Sequence, residues 1–211
     1  MYKLYYAPGA CSMAVHTALL ECNAPFDLEK IDIFAGQGRS LEFLKINPRG
    51  QVPVLVEDGH IIREGAAMLI HILEKHQSPL LPRSGPERLE ALEWLMFCNA
   101  TLHPAYSRVF FLKKSQVDQT AKDALMGIAV ANINKLWEEV EQRLSQHTYL
   151  AGNEVTIADI LMTVIANWNG SVPLPVKLGP RTQKLLQSVI ARPSYRKALE
   201  TEQVQYKAVA A

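Results

Sequence analysis

Two strands and a tight turn are predicted by the stretch Val52-Pro53-Val54-Leu55-Val56-Glu57-Asp58-Gly59-His60-Ile61-Ile62-Arg63. Its β-branched residues favour extended backbone, and the Asp58-Gly59 pair favours a hairpin because glycine tolerates the positive φ of a tight turn. Proline removes a hydrogen-bond donor from a sheet, so Pro53 belongs at an edge or at a special bend. The hairpin therefore places an antiparallel pair of strands near residue 60.

The residues around this hairpin alternate between strand and helix patterns. Strands are predicted at residues 3–7 and 26–33, and a helix is predicted at residues 12–22, where apolar residues recur three and four positions apart. After the hairpin, apolar residues in the segment 68–73 predict another helix. The order β-α-β-(α)-β-β-α predicts a small α/β domain over residues 1–77, with parallel and antiparallel strands in one sheet.

The second half of the chain shows helical patterns throughout. Residues 78–86 hold three prolines, two serines and a glycine, which is typical of a linker. Beyond them, residues 87–112 and 119–146 are long helical patterns, and Thr156-Ile157-Ala158-Asp159 has the form of a capping box at a helix start. We therefore predict an all-α domain over residues 87–211.

Composition argues against several classes of protein. The 22 Lys and Arg residues nearly balance the 21 Asp and Glu residues, so no basic surplus is available for nucleic acid. Cys11, Cys22 and Cys98 are widely spaced, a pattern that indicates neither a disulfide framework nor a structural metal site. The sequence shows no secretion signal and no apolar stretch long enough for a membrane span. We expect a cytoplasmic protein with no nucleic-acid partner, no membrane partner and no metal.

Cys11 is the first candidate for chemistry. It stands where a predicted strand turns into a helix, and the N–H groups of a helix start favour a thiolate, whether the sulfur belongs to Cys11 or to a ligand. Ser12 could donate a hydrogen bond to that sulfur or cap the helix. Read in isolation, the position of Cys11 suits a small buried apolar residue better.

Two other short segments indicate a peptide ligand. A cis bond at Val52-Pro53 would leave the Val52 backbone free to pair with an extended peptide, although an ordinary edge proline fits equally well. At Glu64-Gly65 an acid ends a strand and a glycine opens a helix, so Glu64 can bind an ammonium group while the helix start binds a carboxylate. In isolation, Glu64 fits a solvated turn. Together with Cys11, these segments predict a receptor for a γ-glutamyl-cysteinyl peptide.

Longer segments match a known family. In the first half they are Tyr5-Tyr6-Ala7-Pro8-Gly9-Ala10-Cys11-Ser12, Asn47-Pro48-Arg49-Gly50-Gln51-Val52-Pro53-Val54-Leu55 and Glu64-Gly65-Ala66-Ala67-Met68. In the second half they are Glu93-Trp94-Leu95, Leu102-His103, Tyr149-Leu150-Ala151-Gly152, Thr156-Ile157-Ala158-Asp159 and Ala191-Arg192-Pro193. Through them the sequence resembles the bacterial beta-class glutathione transferases over nearly its whole length.

The resemblance implies a thioredoxin-like N-terminal domain followed by a C-terminal helical bundle domain, in a homodimer. It implies no cofactor, with glutathione as co-substrate, and it implies that residues near His103 of the partner subunit help to close the glutathione site. The residues expected to bind glutathione are Ala10, Gln51, Val52, Pro53 (in a cis bond), Glu64 and Gly65. The expected catalytic residues are Cys11, Ser12 and His103. The expected hydrophobic site for the electrophile is formed by Tyr106, Phe110 and Trp168.

The expected function is the conjugation of reduced glutathione to small apolar electrophiles, with the thiolate of glutathione as nucleophile. One alternative is glutathione-dependent thiol–disulfide exchange or peroxide reduction, in which Cys11 forms a mixed disulfide with glutathione. Another is a non-catalytic ligand-binding protein of the same fold.

The chain departs from the family pattern at three positions. Gly36 lies in a loop where members often carry a lysine, although Arg39 is close by. Met96 stands where an asparagine is frequent, and Thr101 stands where an acidic residue is frequent. These departures keep the ligand-binding alternative open.

Overall fold

The computed structural model describes residues 1–209, which form an α/β part followed by helices. The predicted succession of an α/β half and an all-α half is confirmed. The elements of the first part are β1 Tyr2–Tyr6, α1 Ser12–Glu21, β2 Phe26–Lys30, a 3-10 turn Gln37–Arg39, α2 Leu41–Ile46, β3 Val54–Glu57, β4 His60–Ile62 and α3 Gly65–Lys75.

The four strands form one mixed sheet in the order β2-β1-β3-β4. β1 runs parallel to β2 and antiparallel to β3, while β3 and β4 form the predicted hairpin. Asp58 and Gly59 both have positive φ, 49° and 84°, as a tight hairpin turn requires. The parallel pairing of β1 and β2 requires a crossover helix, and α1 supplies it.

α1 is the central helix of this part. Residues 12–19 are all buried, because α1 packs against β1, α3 and the C-terminal helix α9, Pro193–Glu202. Tyr5 lies on the sheet in a separate apolar cluster with Ile31, Phe43 and Val54. The packing fixes the turn between β1 and α1, which carries Cys11.

The helices that follow are α4 Gly85–Met96, a π-helical segment Phe97–Leu102, α5 His103–Lys114, α6 Gln119–Arg143, α7 Ile157–Ala166, a 3-10 turn Asn167–Ser171, α8 Pro180–Ile190 and α9. The single long helix predicted at residues 87–112 is therefore interrupted by a π-helical segment. Pro104 has no N–H to donate to the preceding turn, which favours such a change in the hydrogen-bond ladder. The segment brings His103 to the start of α5.

The capping box at the start of α7 is confirmed. The Asp159 carboxylate accepts hydrogen bonds from the Thr156 backbone N–H at 2.7 Å and the Thr156 hydroxyl at 3.1 Å. It also accepts one from the Leu150 backbone N–H at 2.9 Å, so it fixes the turn before the helix as well.

Contacts divide the chain into two compact units. Unit 1 comprises residues 1–88 and 190–206, and unit 2 comprises residues 89–189 and 207–209 of the described chain. The last helix, α9, belongs to unit 1 because it packs on α1. No helix within residues 1–209 has the length and apolar character needed to cross a membrane.

Candidate functional site

Cys11 occupies the N-cap position of α1, at the turn that follows β1. Its side chain is partly exposed, and its sulfur lies 3.9 Å from the carbonyl oxygen of Val52. The bond between Val52 and Pro53 is cis, and both residues precede β3, which begins at Val54. The turn that carries Cys11 is thus in contact with the Val52-Pro53 segment.

Burial and backbone N–H groups act on the Cys11 sulfur in opposite directions. Burial raises the pKa of the Cys11 thiol to about 11, and the hydrogen bonds of the Cys11 and Ser12 backbone N–H groups lower it by less. Cys11 is therefore a neutral thiol at neutral pH. The Cys11 S–H can donate a hydrogen bond. The backbone N–H groups of Cys11 and Ser12, at the start of the helix, face the Cys11 sulfur.

Ser12 stabilises the turn that carries Cys11. It is fully buried, and its hydroxyl accepts a hydrogen bond from the Ala7 N–H and donates one to the Ala7 carbonyl, both at 3.2 Å. Because the single hydroxyl hydrogen is directed to Ala7, it does not reach the Cys11 sulfur in this conformation. Ala10 lies in the same turn and donates its own N–H to the Ala7 carbonyl at 3.1 Å.

Glu64 is the N-cap residue of α3, and Gly65 is the first residue of that helix. The Glu64 carboxylate is exposed and forms an ion pair with the Arg49 guanidinium. Arg63, which precedes Glu64 in the chain, donates from Nε to the Ile46 carbonyl at 3.0 Å. These two contacts tie the start of α3 to the segment that leads into Val52.

The segment 47–53 has further internal support. The Asn47 side-chain amide donates to the Gln51 carbonyl at 2.7 Å, and its oxygen accepts the Arg49 N–H at 3.2 Å. Gly50 has φ of +66°, and a Cβ on it would lie 2.4 Å from the Gly38 carbonyl oxygen, so a side chain there is excluded. The Gln51 side chain is exposed. Ala10, Cys11, Gln51, Val52, Pro53, Glu64 and Gly65 thus all lie in unit 1, on segments held by defined contacts.

The predicted residues of the second half form an aromatic cluster in unit 2. The ring centroid of Trp168 lies 4.8 Å from that of His103, 5.8 Å from that of Tyr106 and 5.9 Å from that of Phe110. All three contacts are edge-to-face, a favourable arrangement for aromatic rings. Burial lowers the pKa of His103, so the imidazole is neutral at neutral pH.

Tyr106 is held within this cluster by two residues that the sequence did not indicate. Its hydroxyl accepts a hydrogen bond from Trp137 Nε1 at 2.7 Å and donates one to the Asn169 side chain. Burial raises the pKa of Tyr106, so the phenol stays neutral. The ring is fully buried and packs against Phe110 and Trp168, and its hydroxyl joins it to Trp137 and Asn169.

A buried pair in unit 1 also escaped sequence analysis. His16 Nδ1 lies 2.9 Å from Glu202 Oε1, and Glu202 Oε2 accepts the Gly9 N–H at 3.0 Å. Both side chains are almost fully buried. Glu202, near the end of α9, thereby fixes the loop two residues before Cys11. A separation of 186 residues between His16 and Glu202 leaves no local signal in the sequence.

The departures from the family pattern lie on exposed backbone or surface. Gly36 opens the 3-10 turn with φ of +80° and no atom near a prospective Cβ, so a side chain would meet backbone strain rather than a clash. Arg39, at the end of that turn, lays its side chain over Gly50. Met96 and Thr101 are exposed. Across residues 1–209, no three His, Cys, Asp or Glu side chains are grouped to hold a metal ion.

Family profiles match both halves of the chain. The profile "Glutathione S-transferase, N-terminal domain" matches residues 1–74, and "Glutathione S-transferase, C-terminal domain" matches residues 94–193. Glutathione S-transferase GST-4.5 of Xanthomonas campestris pv. campestris is 30% identical over 208 residues, which cover 95% of this chain and 98% of that protein.

Solved structures agree with these matches. A bacterial beta-class glutathione S-transferase of Sphingomonas chungbukensis aligns with a TM-score of 0.84 and 30% identity, covering 96% of this chain and all of that one. A sphingomonad glutathione S-transferase complexed with glutathione aligns with a TM-score of 0.83 and 27% identity over 96% of this chain and all of that one. The predicted thioredoxin-like domain followed by a helical domain is confirmed. The chain therefore belongs to the glutathione S-transferase family, and within it to the bacterial beta class.

Proposed function

We propose that the protein conjugates reduced glutathione to small apolar electrophiles. The observation that carries this proposal is the contact between the start of α1 and the segment before β3, where the Cys11 sulfur lies 3.9 Å from the Val52 carbonyl oxygen. An extended peptide paired with the Val52 backbone would present its cysteinyl sulfur to the N–H groups of Cys11 and Ser12. The related sphingomonad structure was solved with glutathione, which supports this choice of peptide.

The N–H groups at the start of α1 activate the bound thiol. Hydrogen bonds to a charged acceptor contribute about 1.5–3 kcal/mol each, so two of them lower a thiol pKa by about two to four units. The neutral Cys11 thiol adds a donor of its own. Glutathione is then the nucleophile, and Cys11 stabilises its thiolate.

The pKa of Cys11 favours conjugation over exchange through Cys11. Because burial raises this pKa to about 11, only a small fraction of Cys11 is thiolate at neutral pH, and the thiolate is the form that attacks a disulfide. The partly exposed sulfur and the two facing N–H groups favour exchange as the second candidate. Ser12 acts in both cases as a positioning residue for the turn.

The γ-glutamyl end of glutathione binds at Glu64 and the start of α3. Its ammonium group pairs with the exposed Glu64 carboxylate, which Arg49 already orients, and its carboxylate accepts hydrogen bonds from the N–H groups at Gly65. Ala10 and Gln51 flank the cysteinyl position. This division of contacts explains how side chains that are mostly exposed can select an α-amino acid.

The electrophile is apolar because the residues assigned to it are aromatic. Phe110 and Trp168 are partly exposed edges of the aromatic cluster, whereas Tyr106 supports them from below. His103 packs on Trp168 as a neutral ring and so supplies a hydrogen-bonding atom without a charge.

We further propose that the enzyme is a cytoplasmic homodimer, with detoxification of electrophiles as its role.

Turnover of purified wild-type protein and a Cys11→Ala variant tests the proposal. The substrates are an aryl halide and an epoxide for conjugation, and a glutathione mixed disulfide for exchange. We expect conjugation by the wild type and a decrease of about two- to tenfold in Cys11→Ala, the effect of one lost hydrogen bond. Exchange without conjugation, abolished in Cys11→Ala, would establish the second candidate instead. Glutathione binding without turnover in either form would indicate a ligand-binding protein.

A further inference from the structure

Arg49 and Glu64 form an ion pair on the surface of unit 1, at the start of α3. Both side chains are open to solvent, with 61% of Arg49 and 62% of Glu64 accessible. An exposed pair of this kind adds little to the stability of a fold. The two charges are therefore held next to each other without being needed for packing, and a ligand can reach both of them.

The pair leaves hydrogen-bonding capacity unused on each side. A guanidinium presents a planar fork of N–H donors, and a carboxylate has two acceptor oxygens. In the part of the chain that the structure describes, the only side-chain atoms of the pair that form a hydrogen bond are Nη1 of Arg49 and Oε1 of Glu64. The pair thus offers further N–H donors and a further carboxylate oxygen side by side.

The backbone that carries the Arg49 side chain is held by a neighbour. The Asn47 side-chain oxygen accepts the Arg49 backbone N–H at 3.2 Å, and the Asn47 amide donates to the Gln51 carbonyl at 2.7 Å. These contacts do not involve the guanidinium. The guanidinium can therefore turn from Glu64 towards a ligand while the turn keeps its conformation.

The start of α3 has no side-chain donor of its own for a carboxylate. It consists of Gly65-Ala66-Ala67, whose side chains cannot donate a hydrogen bond. Within residues 1–209, the Glu64 side chain does not cap this helix either. A carboxylate at the helix start therefore meets the backbone N–H groups and, beside Glu64, the Arg49 guanidinium.

An α-amino acid carries an ammonium group and a carboxylate on one carbon, and the Arg49–Glu64 pair is complementary to both charges. From this arrangement we infer that Arg49 is a specificity-determining residue, whose guanidinium binds the α-carboxylate of the γ-glutamyl unit while Glu64 binds the ammonium group. The charges of protein and ligand then alternate in sign around the site. The inference rests on the proposed function and adds a contact that selects the zwitterion as a whole.

Arg49 has two opposed effects on a ligand in this arrangement. It attracts the α-carboxylate, and it competes with the ammonium group for Glu64. Removal of the guanidinium should therefore weaken the binding of a zwitterion but not of a ligand that carries the ammonium group alone. Loss of a merely structural contact would instead weaken the binding of both ligands.

Calorimetric titration of the wild type and of Arg49→Gln with two peptides tests the inference. The peptides are reduced glutathione and 4-aminobutyryl-cysteinyl-glycine, which lacks only the α-carboxylate. The wild type should bind glutathione at least about tenfold more tightly than the analogue. Arg49→Gln should bind glutathione about fivefold more weakly than the wild type does, and it should bind the analogue at least as tightly as the wild type does.

A third peptide and a second variant are the controls. The glycyl ethyl ester of glutathione keeps the α-carboxylate and lacks the charge of the other, so Arg49→Gln should weaken its binding about fivefold as well. Arg83 is an exposed arginine of unit 1 whose Nη2 donates to the Gln77 side chain at 2.6 Å. Arg83→Gln should bind all three peptides as the wild type does. Circular dichroism confirms that both variants are folded.

Three results would overturn the assignment of Arg49. The first is an equal loss of affinity for glutathione and for the analogue in Arg49→Gln, which would make Arg49 a support of the turn. The second is a loss that disappears with the ester, which would place Arg49 on the glycyl carboxylate. The third is equal affinity of the wild type for glutathione and for the analogue.

Failure of the proposed function has a different signature in the same titrations. If the wild type binds no glutathione, the proposed function and the assignment of Arg49 are both wrong. If the wild type binds and conjugates glutathione and one of the three results above is observed, the assignment of Arg49 alone is wrong.

Discussion

Each compact unit contains a fully buried carboxylate, and the two differ in how far their hydrogen bonds reach. In unit 2, Asp159 is 0% exposed and accepts three hydrogen bonds from Thr156 and Leu150, all within nine residues of itself. In unit 1, Glu202 is 3% exposed and binds His16 and the Gly9 N–H, which are 186 and 193 residues away.

The two carboxylates differ in what their hydrogen bonds support: those of Asp159 support stability alone, and those of Glu202 support both stability and the turn that carries Cys11. Asp159 fixes the start of a helix in its own unit, and none of its partners is assigned to substrate. Glu202 fixes the loop that leads into Cys11, so its loss disturbs both the fold and the place where the thiol reacts. A buried carboxylate at a distant chain end can therefore act as a positioning residue.

Glu202→Ala should have the largest effect, because it leaves His16 buried without its partner and the Gly9 N–H without its acceptor. We expect a loss of about 3–5 kcal/mol in the free energy of unfolding by urea. At a temperature where the variant is folded, kcat/KM for conjugation should also decrease. Glu200→Ala, on the exposed side of the same helix, is the matched control. Equal effects of the two variants on the free energy of unfolding and on kcat/KM would contradict the positioning role of Glu202.

Asp159→Ala should lower the free energy of unfolding by about 2–4 kcal/mol, because two buried N–H groups lose their acceptor. Asp159→Asn keeps one acceptor oxygen and should fall between the wild type and Asp159→Ala in the same urea titration. The folded variants should bind glutathione as the wild type does. A large change in the glutathione affinity of the Asp159 variants would contradict the conclusion that Asp159 supports stability alone.

Glu57 extends the comparison of Asp159 with Glu202 to a third case. It is a buried carboxylate of unit 1 whose partners Lys75 and His71 are exposed. Burial acts to raise its pKa, but hydrogen bonds from Lys75 at 2.6 Å, His71 at 2.5 Å and Tyr2 outweigh this and lower the pKa to about 2. A lowered pKa means that the ionised group stabilises the fold above the unfolded value of 4.5, and that this contribution disappears as the pH falls from 4.5 towards 2.

The expected effect is small, because Lys75 and His71 are exposed and solvent screens their interaction with Glu57. We predict that Glu57→Gln is less stable than the wild type by about 1 kcal/mol at pH 7, and that the difference shrinks between pH 4.5 and pH 2. Urea titrations across this range provide the measurement. A difference that stays constant with pH would show that charge on Glu57 is not its source.

Features that depend on neighbours in the chain could be predicted from the sequence. The capping box from Thr156 to Asp159 spans four residues, and the hairpin at Asp58-Gly59 follows from backbone geometry. Cys11 and Val52 were each indicated as ligand-binding positions because both lie on short, recognisable segments, and the structure adds the contact between them. Each of these signals is contained in a few residues.

Features that depend on distant partners could not be predicted. The Glu202–His16 pair joins opposite ends of the chain, and the Arg49–Glu64 ion pair depends on the turn geometry of residues 46–53. The π-helical segment before His103 preserves the apolar spacing of an ordinary helix, so periodicity alone does not reveal it. The hydroxyl of Ser12 had two possible roles in the sequence, as a donor to a sulfur or as a helix cap, and only packing decides that it bonds to the Ala7 backbone.

The most direct test of the account is a comparison of two ligands on two proteins. Reduced glutathione and its desamino analogue are titrated calorimetrically into the wild type and into Glu64→Gln. If glutathione binds along Val52 with its ammonium group on Glu64, removal of the amino group should weaken binding to the wild type about tenfold and to Glu64→Gln much less. No binding of glutathione to the wild type, or an equal loss in both proteins, would contradict the placement of glutathione in unit 1.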